Sequence, residues 1–390
     1  MLIESVMERL AEFQGKHSKG IVVVALIVTL FLSVGLLNIR METDISKELP
    51  QDLPVIELQE RVEDTFGGQD IIFVVVQLDY GSRSKDAVRD IRDPRVMRML
   101  LELEDRISEE MEIDRVQSIA SVFKQVGIPD NVEGVKATLS RIPGSERAFN
   151  KDYSATLLYA YADLGTKEES IKDLDKKIRE DIRESYRPPG VKVRLTGMPS
   201  IRVAMMDLLQ SDALFTMSLS AVVILILLII ISRPWTRGIL VFAPLLFGLI
   251  WTLGLMGWLN IPLSVATVGI GAMILGLGVE YGIFYVSRYE EERDKGNTQI
   301  DSLKTALQGV GSAIVGSSTT TIVGFLALLL ASMPMMHHLG FTLALGIFCC
   351  VVSALVVNPA MILTKERATH MFDVRKHEEL TKRIEKRKRI

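Results

Sequence analysis

The sequence predicts a multi-pass α-helical membrane protein of six transmembrane helices, with an α+β, ferredoxin-like domain between the first and second. Three observations carry that prediction. The 390 residues are 48% hydrophobic, high for a soluble chain of this size. The apolar residues fall in blocks near 20–37, 212–232, 238–258, 262–287, 309–331 and 339–363, each about the length a bilayer crossing needs. One long polar segment, 38–211, interrupts them.

The domains expected are an N-terminal helix (1–19), the first span (20–37), an external domain (38–211), a five-helix bundle (212–364) and a basic tail (365–390). The first block follows Lys16 and Lys19 like a signal peptide. No small-residue cleavage site follows it, so it reads as a retained helix. In residues 1–15, Leu2, Ile3, Val6, Met7, Leu10 and Phe13 share a helical face. That suits a helix in the headgroup layer or an extension of the first span.

Basic residues orient the chain. Arg233 and Arg237 fall between spans two and three, and Arg288, Arg293, Lys295 and Lys304 between four and five. The loop near Trp258–Pro262 has none. The expectation is a cell-membrane protein with both termini cytoplasmic and residues 41–210 outside. The formal net charge is −3. No basic stripe is interleaved with aromatics, so nucleic acid is not an expected partner. Cys349 and Cys350, adjacent within one apolar block, read as small buried side chains rather than a disulfide framework.

In the external segment, Ile71–Leu78 reads as a buried strand and Asp93-Pro94 opens a helix. Val116–Val122 reads as a strand, Val132–Leu139 as a short helix, and Ser154–Ala162 as a strand. Glu168–Ser185 is a charged helix, and Val191–Leu195 alternates as a last strand. Strand–helix–strand twice over implies helices layered on one sheet. Gly67-Gly68 reads as a turn. Gly197-Met-Pro199 should turn into a helix continuing into span two. No zinc-protease helix, phosphate-cradling loop or nucleophile elbow is present; the reading is not an enzyme, with no cofactor.

Glu280 stands alone in Gly269-Ile-Gly-Ala-Met-Ile-Leu-Gly-Leu-Gly-Val-Glu-Tyr-Gly282. A charge at the centre of a membrane helix costs about 2.5–3.5 kcal/mol on insertion scales. It lies about 12 Å of helix rise from Arg288, too deep to reach headgroups. Gly276, Glu280 and Phe284 share a face, beside the small-residue pair Gly278 and Gly282. The candidate partners are Ser317, Ser318, Thr319, Thr320 and Thr321 on span five, and Tyr281 beside the acid. The hydroxyls could coordinate the carboxylate, a water chain or a sodium ion, or bond back to their own helix. Tyr281 points about 100° from Glu280, to donate to a facing helix or to pack. His337 and His338 suit a pH-sensing or an incidental interfacial role. Asn358-Pro359 reads as a kink in span six.

Together these residues resemble one half of a resistance–nodulation–division (RND) superfamily transporter. The branch is that of the hydrophobe/amphiphile exporters, MmpL-type lipid exporters, hopanoid transporters and Patched-like proteins. One span, a large external domain and five spans make that family's half-repeat. Thr43-Asp-Ile-Ser, Leu49-Pro50 and Phe66-Gly67-Gly68 are similar to the opening of its porter domain. Gly276-Leu-Gly-Val-Glu280-Tyr281 is similar to its Gly-x-x-x-Asp-Tyr pattern, and Gly311–Phe325 to its fifth span. Here the aspartate is a glutamate, and one half stands where most members carry two.

The resemblance implies a secondary transporter exporting lipids or amphiphiles, driven by a proton or sodium gradient through Glu280. It also implies a homodimer making 12 spans, with a homotrimer ranked second. The alternatives are a SecDF-like protein-export accessory and a non-transporting sterol- or lipid-sensing protein.

Overall fold

The computed structural model describes residues 2–66, 70–162, 164, 168–232 and 235–367. Gly67-Gly68 and the tail beyond Arg367 lie outside the described residues. In order, the helices and strands are α1 (Leu2–Gly35), α2 (Pro54–Phe66), β1 (Asp70–Leu78), α3 (Pro94–Ser108) and β2 (Ile113–Ser118). There follow α4 (Phe123–Val126), α5 (Val132–Leu139), β3 (Ala155–Ala162), α6 (Glu168–Glu184) and β4 (Val191–Gly197). The chain closes with α7 (Met198–Ile231), α8 (Trp235–Trp258), α9 (Ile270–Asp294), α10 (Gln299–Leu326) and α11 (Pro334–Val352). It divides into two compact units, Met1–Pro50 with Leu209–Ile390, and Gln51–Leu208.

The second unit is built on a four-stranded sheet of order β2-β3-β1-β4, antiparallel throughout. With α3 after β1 and α6 after β3, this is the split βαβ arrangement. Every second residue of β1 is buried: Ile72, Val74, Val76 and Leu78. They join Leu100, Leu103 and Ile107 of α3 and Ile171, Leu174 and Ile178 of α6 in one core. The apolar run in β1 invites a strand buried on both faces. Only one face is, because both helices lie on that side; Ile71, Phe73 and Val75 are half-buried. The strand expected over Val116–Val122 ends at Ser118, where a capping box with Ser121 starts a 3-10 turn.

The first unit contains candidate membrane spans Ser5–Asn38, Trp235–Trp258, Ile270–Asp294, Gln299–Leu330 and Pro334–Arg367; the remaining one, Met198–Ile231, begins in the sheet unit. Six spans are therefore found among the described residues. Span one packs on α8 at glycines. A Cβ on Gly35 would overlap the Gly254 carbonyl and lie 2.9 Å from the Trp258 indole nitrogen. Only glycine permits that approach. Trp251 Nε1 donates to Thr29 Oγ1 at 2.7 Å across the same seam.

Three expectations about the bundle need correction. Span four begins at Ile270, not 262, because Pro262–Gly269 forms a capped turn. There Thr267 Oγ1 accepts from the Ser264 amide at 2.7 Å, and Leu263 exchanges backbone hydrogen bonds with Arg40 and Glu42. Span six begins at Pro334, which takes the first helical position, so His337 and His338 stand within its first two turns rather than in a loop. The N-terminal segment is continuous with span one apart from a non-helical His17. It buries Met7, Ala11, Gln14 and Ser18 and leaves Val6 and Phe13 exposed. The buried face is one step round from the expected one, because it docks on α10 and on the part of span six beyond α11: Met7 lies beside Gly311, Glu8 pairs with Lys304, and Arg367 donates to Ser18 and to the Gly15 carbonyl.

A proline determines part of that docking. Pro359 has no N–H, so the Leu355 carbonyl four residues earlier loses its helical donor. The buried Gln14 Nε2 donates to it at 2.8 Å. Just upstream, Ser353–Val357 is a π-helical segment, and Ser353 Oγ donates to the Pro244 carbonyl of α8 at 2.5 Å. The expected kink at Asn358-Pro359 takes the form of this wider turn, after which the helix resumes.

Candidate functional site

The face of α9 that carries Glu280 is open. Glu280 is exposed, and Met273, Leu277 and Phe284 are exposed with it. A Cβ added to Gly276 would meet nothing within 4 Å. Gly276, Glu280 and Phe284 therefore share one face, as the i, i+4 spacing requires. Glu280 makes no hydrogen bond or ion pair with a described residue.

The opposite side of α9 is packed. A Cβ on Gly278 would come 2.7 Å from Cys350 Sγ and 2.8 Å from Leu245 Cδ1. One on Gly282 would come 3.0 Å from Val241 Cγ1. Gly278 and Gly282 thus bring α9 against α8 and α11, while a Cβ on Gly276 would meet nothing among the described residues. Tyr281 lies on the packed side, 1% exposed, with Tyr285 and Tyr289 following at four-residue steps in the same core. It is therefore turned away from the Glu280 face. The Tyr285 hydroxyl has no hydrogen-bond partner among the described residues.

Four of the five hydroxyls of α10 bond to their own helix. Ser318 is buried and donates to the Val315 carbonyl at 3.1 Å. Thr319 donates to the same carbonyl at 2.6 Å. Thr320 and Thr321 donate to Ser317 O at 2.7 and 3.1 Å. None bonds to Glu280. Ser317, Thr319 and Thr320 are exposed, and Gly316 and Gly324 face open space. Within one chain the carboxylate and the hydroxyls stay separate, each on an uncovered surface.

Sequence reading missed a second carboxylate. Glu48, ten residues beyond span one, is 7% exposed. Its Oε2 lies 3.8 Å from His338 Nδ1, and neither carboxylate oxygen accepts a hydrogen bond from a described residue. Its surroundings in sequence, Ser46-Lys-Glu-Leu-Pro50, read as an exposed loop, so nothing local signals burial. His337 Nε2 lies 2.6 Å from the Ala331 carbonyl.

A model of the MMPL family matches residues 49–387. The chain belongs to the MMPL family. It is 39% identical to a membrane protein of Methanocaldococcus jannaschii over 375 residues, 94% of this chain and 96% of that protein. It is 28% identical to the apo-petrobactin exporter of Bacillus anthracis over 212 residues, 50% of this chain but 28% of the exporter. It is also 26% identical to a siderophore exporter of Mycobacterium tuberculosis over 46% of this chain and 19% of that protein. The two exporters are thus far longer than the segments matched, whereas the archaeal relative is of similar length. The MMPL match and the six apolar helices make this a multi-pass membrane protein.

Proposed function

We propose that the chain is a secondary transporter exporting lipids or other amphiphiles, with Glu280 as the cation carrier. The observation that carries the reading is the Glu280 face of α9: an acid some 12 Å of helix rise from Arg288, unpartnered among the described residues, beside a glycine that leaves room for another helix. Facing acyl chains, such a group costs about 2.5–3.5 kcal/mol. Covered by protein and reached by water, it loads and unloads a proton or a sodium ion.

A second copy of this chain is the proposed cover. Two copies related by a twofold axis would bring both Glu280 faces, and the open Gly316–Thr320 face of α10, into one 12-span unit. The names of two longer relatives, an apo-petrobactin exporter and a siderophore exporter, support an exported small-molecule cargo. In the proposed cycle Glu280 takes up its cation from outside and releases it to the cytoplasm, where both termini lie. Movement of α9 against α10 would follow its charge state.

The experiment is transport of a fluorescent lysophospholipid by the chain reconstituted in proteoliposomes, with a proton gradient, a sodium gradient or none. Flux driven by one gradient is expected. Lipid binding with flux indifferent to both gradients would leave a passive lipid receptor instead.

A further inference from the structure

The sheet unit has a face that its helices do not use. Opposite the buried core, β1 presents Ile71, Phe73 and Val75, and β3 presents Tyr161, Tyr159 and Leu157. The strand register places these directly across from one another in that order. All six are half-buried rather than covered. Phe73 and Tyr159 meet edge to face with centroids 5.5 Å apart. The result is a flat aromatic and aliphatic stripe, unusual on a surface that serves no binding role.

Its two edges are basic. On β4, Lys192 lies across from Gln77 and Arg194 from Val75. On β2, Arg115 lies across from Tyr161, its guanidinium 4.4 Å from the tyrosine ring centroid. Lys192 pairs with Asp79 at 3.1 Å. Arg194 and Arg115 are exposed, and neither has a carboxylate partner among the described residues. A twofold pairing of this face with itself would appose apolar stripes but also set unpaired guanidinium groups on both surfaces. An occupant with an apolar body and a negative end fits better: the body on the stripe, the anion accepting from a guanidinium fork.

We propose that this sheet face binds a single-chain anionic amphiphile, its chain across the Phe73–Tyr159 pair and its head group at Arg194. Four strands span about 14 Å edge to edge, room for a medium-length acyl chain between the two basic rims. The proposal rests on the exporter reading for its ligand class and adds the charge of the head group. The carboxylate of a fatty acid is the chemistry tested.

The test uses the full chain in nanodiscs of zwitterionic phosphatidylcholine, with no ion gradient. Photoactivatable dodecanoic acid and the matching dodecanol, both carrying a diazirine on the chain, are cross-linked and the labelled peptides identified by mass spectrometry. The acid is expected to label peptides containing Phe73 and Tyr159 well above the alcohol. Arg194→Gln, an exposed change that the fold tolerates, lowers acid labelling about tenfold, the loss of one charge-assisted hydrogen bond. It leaves alcohol labelling unchanged, and Arg194→Lys restores most of the difference. Equal labelling by acid and alcohol, indifference to Arg194→Gln, or labelling confined to the spans would overturn the site. Because no gradient is applied, the two claims fail separately. Gradient-driven flux without sheet labelling removes only this site. Sheet labelling without flux leaves the site and removes the exporter reading.

Discussion

At the residue scale, Glu280 and Gly278 sit two positions apart on α9 and do opposite work. Gly278 is packed against Cys350 and Leu245. Gly278→Val forces the neighbours apart and is expected to destabilise the bundle by about 1–3 kcal/mol, read as a lower melting temperature in detergent. Gly276→Val meets open space, so the isolated chain should melt as before; what it loses is self-association, read by mass photometry in nanodiscs. A chain that stays fully dimeric with Gly276→Val would place the dimer contact elsewhere. Glu280→Asp keeps the acid on a side chain one methylene shorter, and coupled flux should survive it. The spacing of Gly276, Glu280 and Phe284 made their shared face legible from the sequence. Whether Tyr281 faced the acid or the core was not, since that depends on which neighbouring helices approach α9, and period alone leaves both sides of an apolar helix equivalent.

At the element scale, the N-terminal helix is held at a carbonyl freed by proline. Gln14→Leu keeps the volume but leaves Leu355 O buried without a donor, at a cost of about 1–3 kcal/mol. The expected readout is faster proteolysis near Lys16 and Lys19 with the rest of the bundle intact. Unchanged cleavage would mean the contact contributes little. In the sheet unit, Asp90 shows how electrostatics ties a loop to α5. Burial pushes its pKa up, but hydrogen bonds from Arg92 and the nearby Lys136 outweigh that and hold it at about 2. A carboxyl lowered in the fold stabilises it above the unfolded value near 4, and the gain is lost as pH falls through about 2. Allowing for screening, Asp90→Asn should cost about 1 kcal/mol at neutral pH and only a small fraction of that at about pH 2. A mutant equally destabilised at both pH values would contradict the assignment.

The strands and helices of this unit were largely readable because alternation and Asp-Pro or Gly punctuation mark them. β2 ran short of its apolar pattern because Ser118 caps a turn inside it. The burial of Glu48 against His338 had no local signal at all, since it arises from chain segments 290 residues apart.

At the scale of the whole molecule, the described chain is an incomplete surface. Spans one, two and five bury few of their side chains, while spans three, four and six bury half or more. Lipid accounts for much of that apolar exposure, but not for a lone acid and a run of hydroxyls. The account predicts a dimer in nanodiscs whose self-association Gly276→Val weakens; a strict monomer that still transports would remove the second-copy cover.

The most direct test of the central claim is Glu280→Gln in proteoliposomes, with ion movement and amphiphile flux recorded together. The amide matches the carboxyl in size and cannot carry a proton. The account predicts normal expression, an unchanged melting temperature and normal dimer formation, with both fluxes falling to the level of empty vesicles. Coupled flux in the Gln variant at more than a small fraction of the wild-type rate would contradict it.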